Sequence, residues 1–253
     1  MNTIQVEVKG EMAIVRLMRG KANAMNAEMV IELKETLLNL KANEDIRGAI
    51  LTGHGEFFSA GLDVIELYSY DAAQILEFWK SFDRLVRTIV SFPKPLVAAV
   101  TGHSPAGGCV LALGCDYRVM AEGKYKIGLN EIPVGIVVPE TIFHLYAFWI
   151  GNGKAYQYLL EGKLMIAQEA KTDGLVNEIC PLEDVEAKAI EQLNKYLKFS
   201  TAVWAQSKLN IRTTIIQRLT SVDFRTAYEP TIKQWWAPET RAILNKMIEG
   251  LKK

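Results

Sequence analysis

His103-Ser104-Pro105-Ala106-Gly107-Gly108-Cys109-Val110-Leu111-Ala112-Leu113-Gly114-Cys115-Asp116 is the stretch on which the reading of this chain turns. It follows an apolar strand pattern, Leu96 to Val100, and its small residues open an apolar helix predicted over Ala106 to Leu113. The first turn of a helix presents backbone N–H groups with no internal partner, and the helix dipole makes that end attractive to negative charge. A second small-residue turn, Phe58-Ser59-Ala60-Gly61-Leu62-Asp63, lies upstream, and Glu131 lies downstream. Two such turns converging on one oxygen, beside a carboxylate that carries a proton, make a site suited to enolate chemistry. Leu62 and Gly107 are the donors predicted from the two turns. Taken singly, each turn also reads as a tight left-handed bend or a point of close packing.

Working outward, Ile4, Val6 and Val8 alternate with polar residues and Met12 to Leu17 repeats the pattern, predicting an opening pair of strands. Asn26 is an N-cap candidate for a helix whose Val30, Leu33, Leu37 and Leu40 share one face, and Arg47 to Thr52 reads as a buried strand. Ile75, Phe78, Phe82, Leu85 and Ile89 mark a long amphipathic helix that stops before Pro93. With a further strand at Tyr117 to Met120, the alternation predicts an α/β fold around a largely parallel, covered sheet. Beyond Pro139 the pattern is helical except for a strand predicted at Leu175 to Cys180. This divides the chain into a core over 1–198 and a C-terminal helical region over 199–253. There, Trp235 and Trp236 must point to different sides of one helix.

Composition narrows the function classes. Of the 253 residues, 49% are hydrophobic, enough for a sizeable core. Lys+Arg 29 balances Asp+Glu 29, and no block of like charge stands out beyond Lys252-Lys253, which argues against nucleic acid or a membrane as partner. No apolar run is long enough to span a bilayer, no secretory signal opens the chain, and Leu-Lys-Lys is not the peroxisomal tripeptide, so the cytoplasm is the expected compartment. Cys109, Cys115 and Cys180 have no C-x-x-C spacing, which fits a reducing environment. Neither a G-x-G-x-x-G nor a Gly-Lys-Ser/Thr motif is present, and His54, His103 and His144 form no metal-ligand spacing; no metal is expected.

Together these segments resemble the crotonase (enoyl-CoA hydratase/isomerase) superfamily over nearly the whole chain. Lys21-Ala22-Asn23-Ala24-Met25-Asn26 is similar to its adenine-side coenzyme A loop, Phe58 to Asp63 to its first oxyanion turn, and Ala106 to Asp116 to its second. Within the superfamily, Phe58 to Asp63, Pro105 to Cys109, Cys115-Asp116-Tyr117-Arg118 and Ile127-Gly128-Leu129-Asn130-Glu131 look most like the Δ3,Δ2-enoyl-CoA isomerase (dodecenoyl-CoA isomerase) branch. The resemblance implies a spiral of ββα repeats, a C-terminal helical region that serves oligomerisation, and a homotrimer or dimer of trimers. It also implies an acyl-CoA thioester substrate with no separate cofactor, since coenzyme A is part of the substrate. Ala22, Ala24, Ala60 and Asp63 would line the coenzyme A channel, with Ala106 and Val110 also at the substrate, and Glu131 matches the catalytic glutamate.

Val110 stands where hydratases of this superfamily place the first of their two glutamates. Hydration commonly divides its proton transfers between a pair of carboxylates, whereas one carboxylate is enough to carry one proton from C2 to C4 of a 3-enoyl thioester. The resemblance therefore implies isomerisation of 3-enoyl-CoA to trans-2-enoyl-CoA in the β-oxidation of unsaturated fatty acids. Apolar neighbours Ile127, Ile132 and Val110 are expected to raise the Glu131 pKa. A solvated loop carboxylate is the alternative reading of Glu131. Glu140 is the nearest second acid, read as a helix start but also open to a two-acid role. Hydratase or dienoyl-CoA isomerase activity, and a non-catalytic thioester-binding or scaffolding role, are the remaining alternatives.

Overall fold

The computed structural model describes residues 2–221 and 223–251; Lys252-Lys253 lies outside them. An antiparallel hairpin, β1 (Ile4–Lys9) and β2 (Met12–Leu17), pairs Ile4 with Leu17 and Lys9 with Met12. β1 is a sheet edge, and it keeps Ile4 inside while Val8 faces solvent. Next comes α1 (Ala27–Ala42), started as predicted by Asn26, whose side chain accepts from the Met29 N–H. Its face of Met29, Val30, Leu33, Leu37 and Leu40 is buried, and truncating a fully packed member such as Leu33 to Ala costs about 2–5 kcal/mol.

β3 (Gly48–Thr52), β4 (Leu96–Val100) and β6 (Tyr117–Ala121) add in parallel to β2, giving a six-stranded sheet in the order β1-β2-β3-β4-β6-β9. β3 and β4 are buried along their whole length, which is why they read as continuous apolar runs without alternation. Between them run α2 (Val64–Tyr68) and α3 (Ala72–Val90), the latter opened by an Asp71–Gln74 capping box and packed against α1. The strand predicted at Leu175 to Cys180 is shorter: β9 covers only Glu178–Cys180, because the Leu175 and Val176 N–H groups both donate to the Ala170 carbonyl in a turn rather than to β6.

A second, smaller sheet had no counterpart in the sequence reading. β5 (Ser104–Pro105) pairs in parallel with β7 (Lys126–Gly128), and β7 pairs antiparallel with β8 (Leu164–Ile166). From β5 the chain enters α4 (Gly107–Gly114), one residue later than predicted, since Ala106 is its cap. A 3-10 turn at Ile132–Val134 leads to α5 (Glu140–Ile150) and α6 (Asn152–Glu161), and β8 leads to α7 (Ala167–Thr172). α8 (Val185–Leu197) covers β3, β4 and β6.

The described part of the 199–253 region is helical: α9 (Thr201–Ile211), α10 (Thr213–Ser221), α11 (Phe224–Trp235) and α12 (Pro238–Leu251). α10 packs on α3 and α5, α11 on α3, and α12 on α2 and the 3-10 turn. Trp235 is buried while Trp236, just past the end of α11, is 38% exposed, so the neighbouring indoles do face different surroundings.

Candidate active site

The first turn is held by the loop that precedes α1. Met25 donates its N–H to the Gly61 carbonyl and accepts from the Asp63 N–H, while Ala60 donates to the Ala22 carbonyl. In such a parallel pairing the amides on either side of Leu62 are directed at Met25 and the Leu62 N–H faces the opposite way. Among the described residues that N–H has no protein acceptor. Asn23 ties the loop down from the other side, its Nδ2 donating to the carbonyls of Phe57 and Phe58 and its own carbonyl accepting from Ser59 Oγ. Gly61 sits at φ +86, and a Cβ there would stand 3.1 Å from the Gly107 nitrogen. The two turns therefore touch.

The second turn depends on the small sheet. β5 lies on β7, and the Ala106 N–H donates to the Gly128 carbonyl, which fixes the chain as it enters α4. Ala106 adopts φ +47, a left-handed conformation costly for a residue with a Cβ, and it starts α4 without a side-chain cap. The Gly107 N–H, like that of Leu62, has no protein acceptor among the described residues. Gly108 allows the approach: a Cβ there would come within 2.3 Å of the Ser59 carbonyl oxygen, linking the second turn to the first.

The same sheet delivers the carboxylate. Glu131 follows β7 directly and closes the Ile132–Val134 turn by accepting the N–H groups of Val134 and Ile136 at its carbonyl. Glu131 borders a cavity of about 130 Å³ together with Leu62, Gly107 and Val110. α3 adds Trp79 and Phe82, α5 adds Ile142, and α12 adds Met247. Among the described residues Glu131 is the only carboxylate on this lining, and its Oε2 is buried without a hydrogen-bond partner. Burial in apolar surroundings disfavours the charged form and pushes its pKa up to about 7, within reach of proton transfer in either direction near neutrality. A larger hollow of about 830 Å³ between α3 and α11 is walled by charged side chains and contains neither turn.

Of the residues singled out in the sequence, Glu131, Leu62, Gly107, Ala60, Ala106 and Val110 come together on this cavity. Ala22, Ala24 and Asp63 do not border it. The carbonyls of Ala22 and Ala24 accept from the Ala60 N–H and Arg19 Nη1, and Asp63 caps α2 through the Glu66 N–H while pairing with Arg19 Nη1 at 2.6 Å. The expected desolvation of Glu131 is present, but Ile132 is not its source. That side chain follows the 3-10 turn outward and is 42% exposed, and the apolar wall comes instead from Leu62, Val110, Val134, Ile136 and Ile142. Glu140 begins α5 with 63% of its side chain exposed and lies 3.1 Å from His144 Nε2, outside the cavity. Trp79, Asn130 and Met247 were not anticipated; Trp79 had a signal in the apolar face of α3, whereas Met247 had none.

The sequence model of the enoyl-CoA hydratase/isomerase family matches residues 7–227. Among curated proteins, mouse mitochondrial enoyl-CoA delta isomerase 1 is 39% identical over 196 residues, 77% of this chain and 68% of that protein. A putative enoyl-CoA hydratase of Thermus thermophilus is 38% identical over 196 residues, covering 74% of this chain and 76% of its own. In structure, human mitochondrial delta3-delta2-enoyl-CoA isomerase superimposes with a TM-score of 0.94 at 28% identity, over 99% of this chain and 98% of that one.

Proposed function

The chain belongs to the enoyl-CoA hydratase/isomerase family, and from that premise we propose that it moves the double bond of a 3-enoyl-CoA thioester into the trans-2 position. The observation that carries this reading is the single carboxylate: Val110 occupies the wall of the cavity, and no acid other than Glu131 borders it. With its pKa pushed up to about 7, Glu131 takes a proton from C2 of the substrate. The electron pair left at C2 delocalises onto the thioester oxygen, where the N–H groups of Leu62 and Gly107 receive it as a dienolate. Glu131, now the acid, returns the proton to C4, and the double bond ends between C2 and C3. No electrons leave the substrate.

The thioester arrives as acyl-CoA, with the Lys21–Asn26 loop on the coenzyme A side and the acyl chain entering the cavity between α3, α5 and α12. Coenzyme A serves as part of the substrate, without a further cofactor. The isolated chain leaves Val203 and Ile211 of α9 exposed, together with Phe199 just before it, which supports assembly into trimers. Incubating the protein separately with 3-enoyl-CoA and 2-enoyl-CoA tests the activity. The expected result is rapid formation of 2-enoyl-CoA from the first and slow hydration of the second. Faster hydration than isomerisation would replace this reading with that of a hydratase in which Glu131 manages water alone.

A further inference from the structure

α4 is treated differently at its two ends. At the N-terminus the Gly107 N–H is free of protein partners and no side chain caps the helix. At the C-terminus the last carbonyls are all taken, and largely by cations. Trp149 Nε1 donates to the Leu113 carbonyl, Arg212 Nη1 to that of Gly114, and Arg212 Nη2 and Arg118 Nη1 both to that of Cys115. Arg118 lies over the Trp149 ring at 3.7 Å. Lys208 completes the cluster, donating to Asp116 Oδ2 at 2.7 Å, while Arg212 Nη2 stands 3.1 Å from Asp116 Oδ1. Three buried cations thus face one carboxylate whose side chain is 10% exposed, and a net positive charge is left behind the negative end of the helix.

We propose that Arg118, Lys208 and Arg212 are positioning residues for the oxyanion site, acting through α4 to raise the positive potential that its N-terminus presents to the thioester oxygen. Every residue of α4 is buried, so the path between the two ends runs through protein and is little screened by salt. Eight helical residues span about 12 Å, which puts the charges roughly 15 Å from an oxygen held at Gly107. At an effective dielectric of about 20, one unit charge at that distance changes the stability of an enolate by about fivefold. The Cys115-Asp116-Tyr117-Arg118 motif and the start of the C-terminal helical region, which do not border the Glu131 cavity, acquire a common role. This inference rests on the reading that an oxyanion forms at Leu62 and Gly107.

The test uses acetoacetyl-CoA, a 3-ketoacyl thioester whose enolate absorbs in the near ultraviolet, titrated on the full-length protein without turnover. Arg212→Gln should raise the pKa of the bound ligand by roughly half to one unit, as a fivefold change in enolate stability requires, and Arg212→Lys should restore it. Asp116→Asn should shift it the opposite way. A network with a purely structural role predicts the same direction for Arg212→Gln and Asp116→Asn, because both break it, and that result overturns the proposal. If Asp116→Asn does not fold, the Arg212 pair decides alone: equal ligand pKa values in the Gln and Lys variants overturn it, as does the lack of any enolate signal on wild type. Should wild type fail to isomerise 3-enoyl-CoA while the ligand pKa still moves as expected, the proposed reaction falls and the electrostatic role stands.

Discussion

Glu131 and Glu140 belong to neighbouring segments of one connection, yet the protein makes them different acids. Glu131 closes a 3-10 turn against the cavity, with a buried oxygen that no group among the described residues satisfies and a pKa pushed up to about 7. Glu140 opens α5 in solvent, where its charge meets the helix N-terminus and His144. Residue type is the same, and burial decides which of them is poised to exchange a proton. The contrast also shows why counting acids in the sequence leaves a two-acid mechanism open, whereas locating them on the cavity supports a one-acid mechanism.

The strongest way to break this comparison is to neutralise each acid in turn. Glu131→Gln is expected to lower isomerisation of 3-enoyl-CoA by at least about a hundredfold, the scale of losing a general acid–base group. Near-wild-type turnover, measured on protein of unchanged circular dichroism, would remove Glu131 from the chemistry. The same substitution should stabilise the fold in a pH-dependent way. Between about pH 4.5 and about pH 7 the folded protein keeps a proton that the unfolded chain has released, so stability falls as pH rises through that window, and the whole loss is present above it. Urea unfolding at pH 8 should therefore find Glu131→Gln more stable than wild type by about 2–3 kcal/mol, with the difference vanishing near pH 4.

Proton abstraction requires the ionised carboxylate, so kcat/KM for wild type should rise about tenfold per pH unit below about 7 and level off above it. A plateau already reached at pH 5 would place the working base in an ordinary, solvated setting outside the cavity. A smaller gain is expected from Val110→Glu, which puts a second acid on the same wall and should yield 3-hydroxyacyl-CoA from 2-enoyl-CoA, detectable by mass. That carboxylate will resist ionisation in apolar surroundings, so the product should be scarce and more abundant at higher pH. At the bottom of the scale, Glu140→Gln should alter turnover by no more than about twofold, and a loss matching that of Glu131→Gln would restore the two-acid mechanism.

What the sequence disclosed follows from how each element is stabilised. α1 and α3 bury one face apiece, so periodicity marked them, while β3 and β4 bury both faces and were marked by unbroken apolar runs. β5, β7 and β8 have two or three residues each, too few for any period, and exist because they pair with one another across the chain. They nevertheless fix the second turn and the start of the Glu131 segment. The unpaired N–H groups and the carboxylate that meet at the cavity were pointed to by combining helix-start physics with family resemblance, while Met247 belongs to a helix far along the chain and was out of reach of local pattern. Ile132 was misplaced because a short 3-10 turn sends adjacent side chains to opposite environments. Ala106 gave no warning of its left-handed backbone, since a strained alanine is spelled like any other.

The hydrogen bonds that set the first turn, Ala60 to Ala22, Met25 to Gly61 and Asp63 to Met25, all run from main chain to main chain. An ordinary substitution at Ala22, Met25, Ala60 or Leu62 keeps the N–H and carbonyl groups that do the holding. Heredity can therefore rewrite much of this neighbourhood letter by letter without removing these main-chain groups, until a proline or an intruding side chain bends the frame. Such a site outlives the spelling of its sequence, and so a polypeptide can keep the shape of a relative after most of its side chains have been exchanged. Innovation in reaction type is then concentrated in the few side chains that line the cavity, Val110 and Glu131 foremost among them.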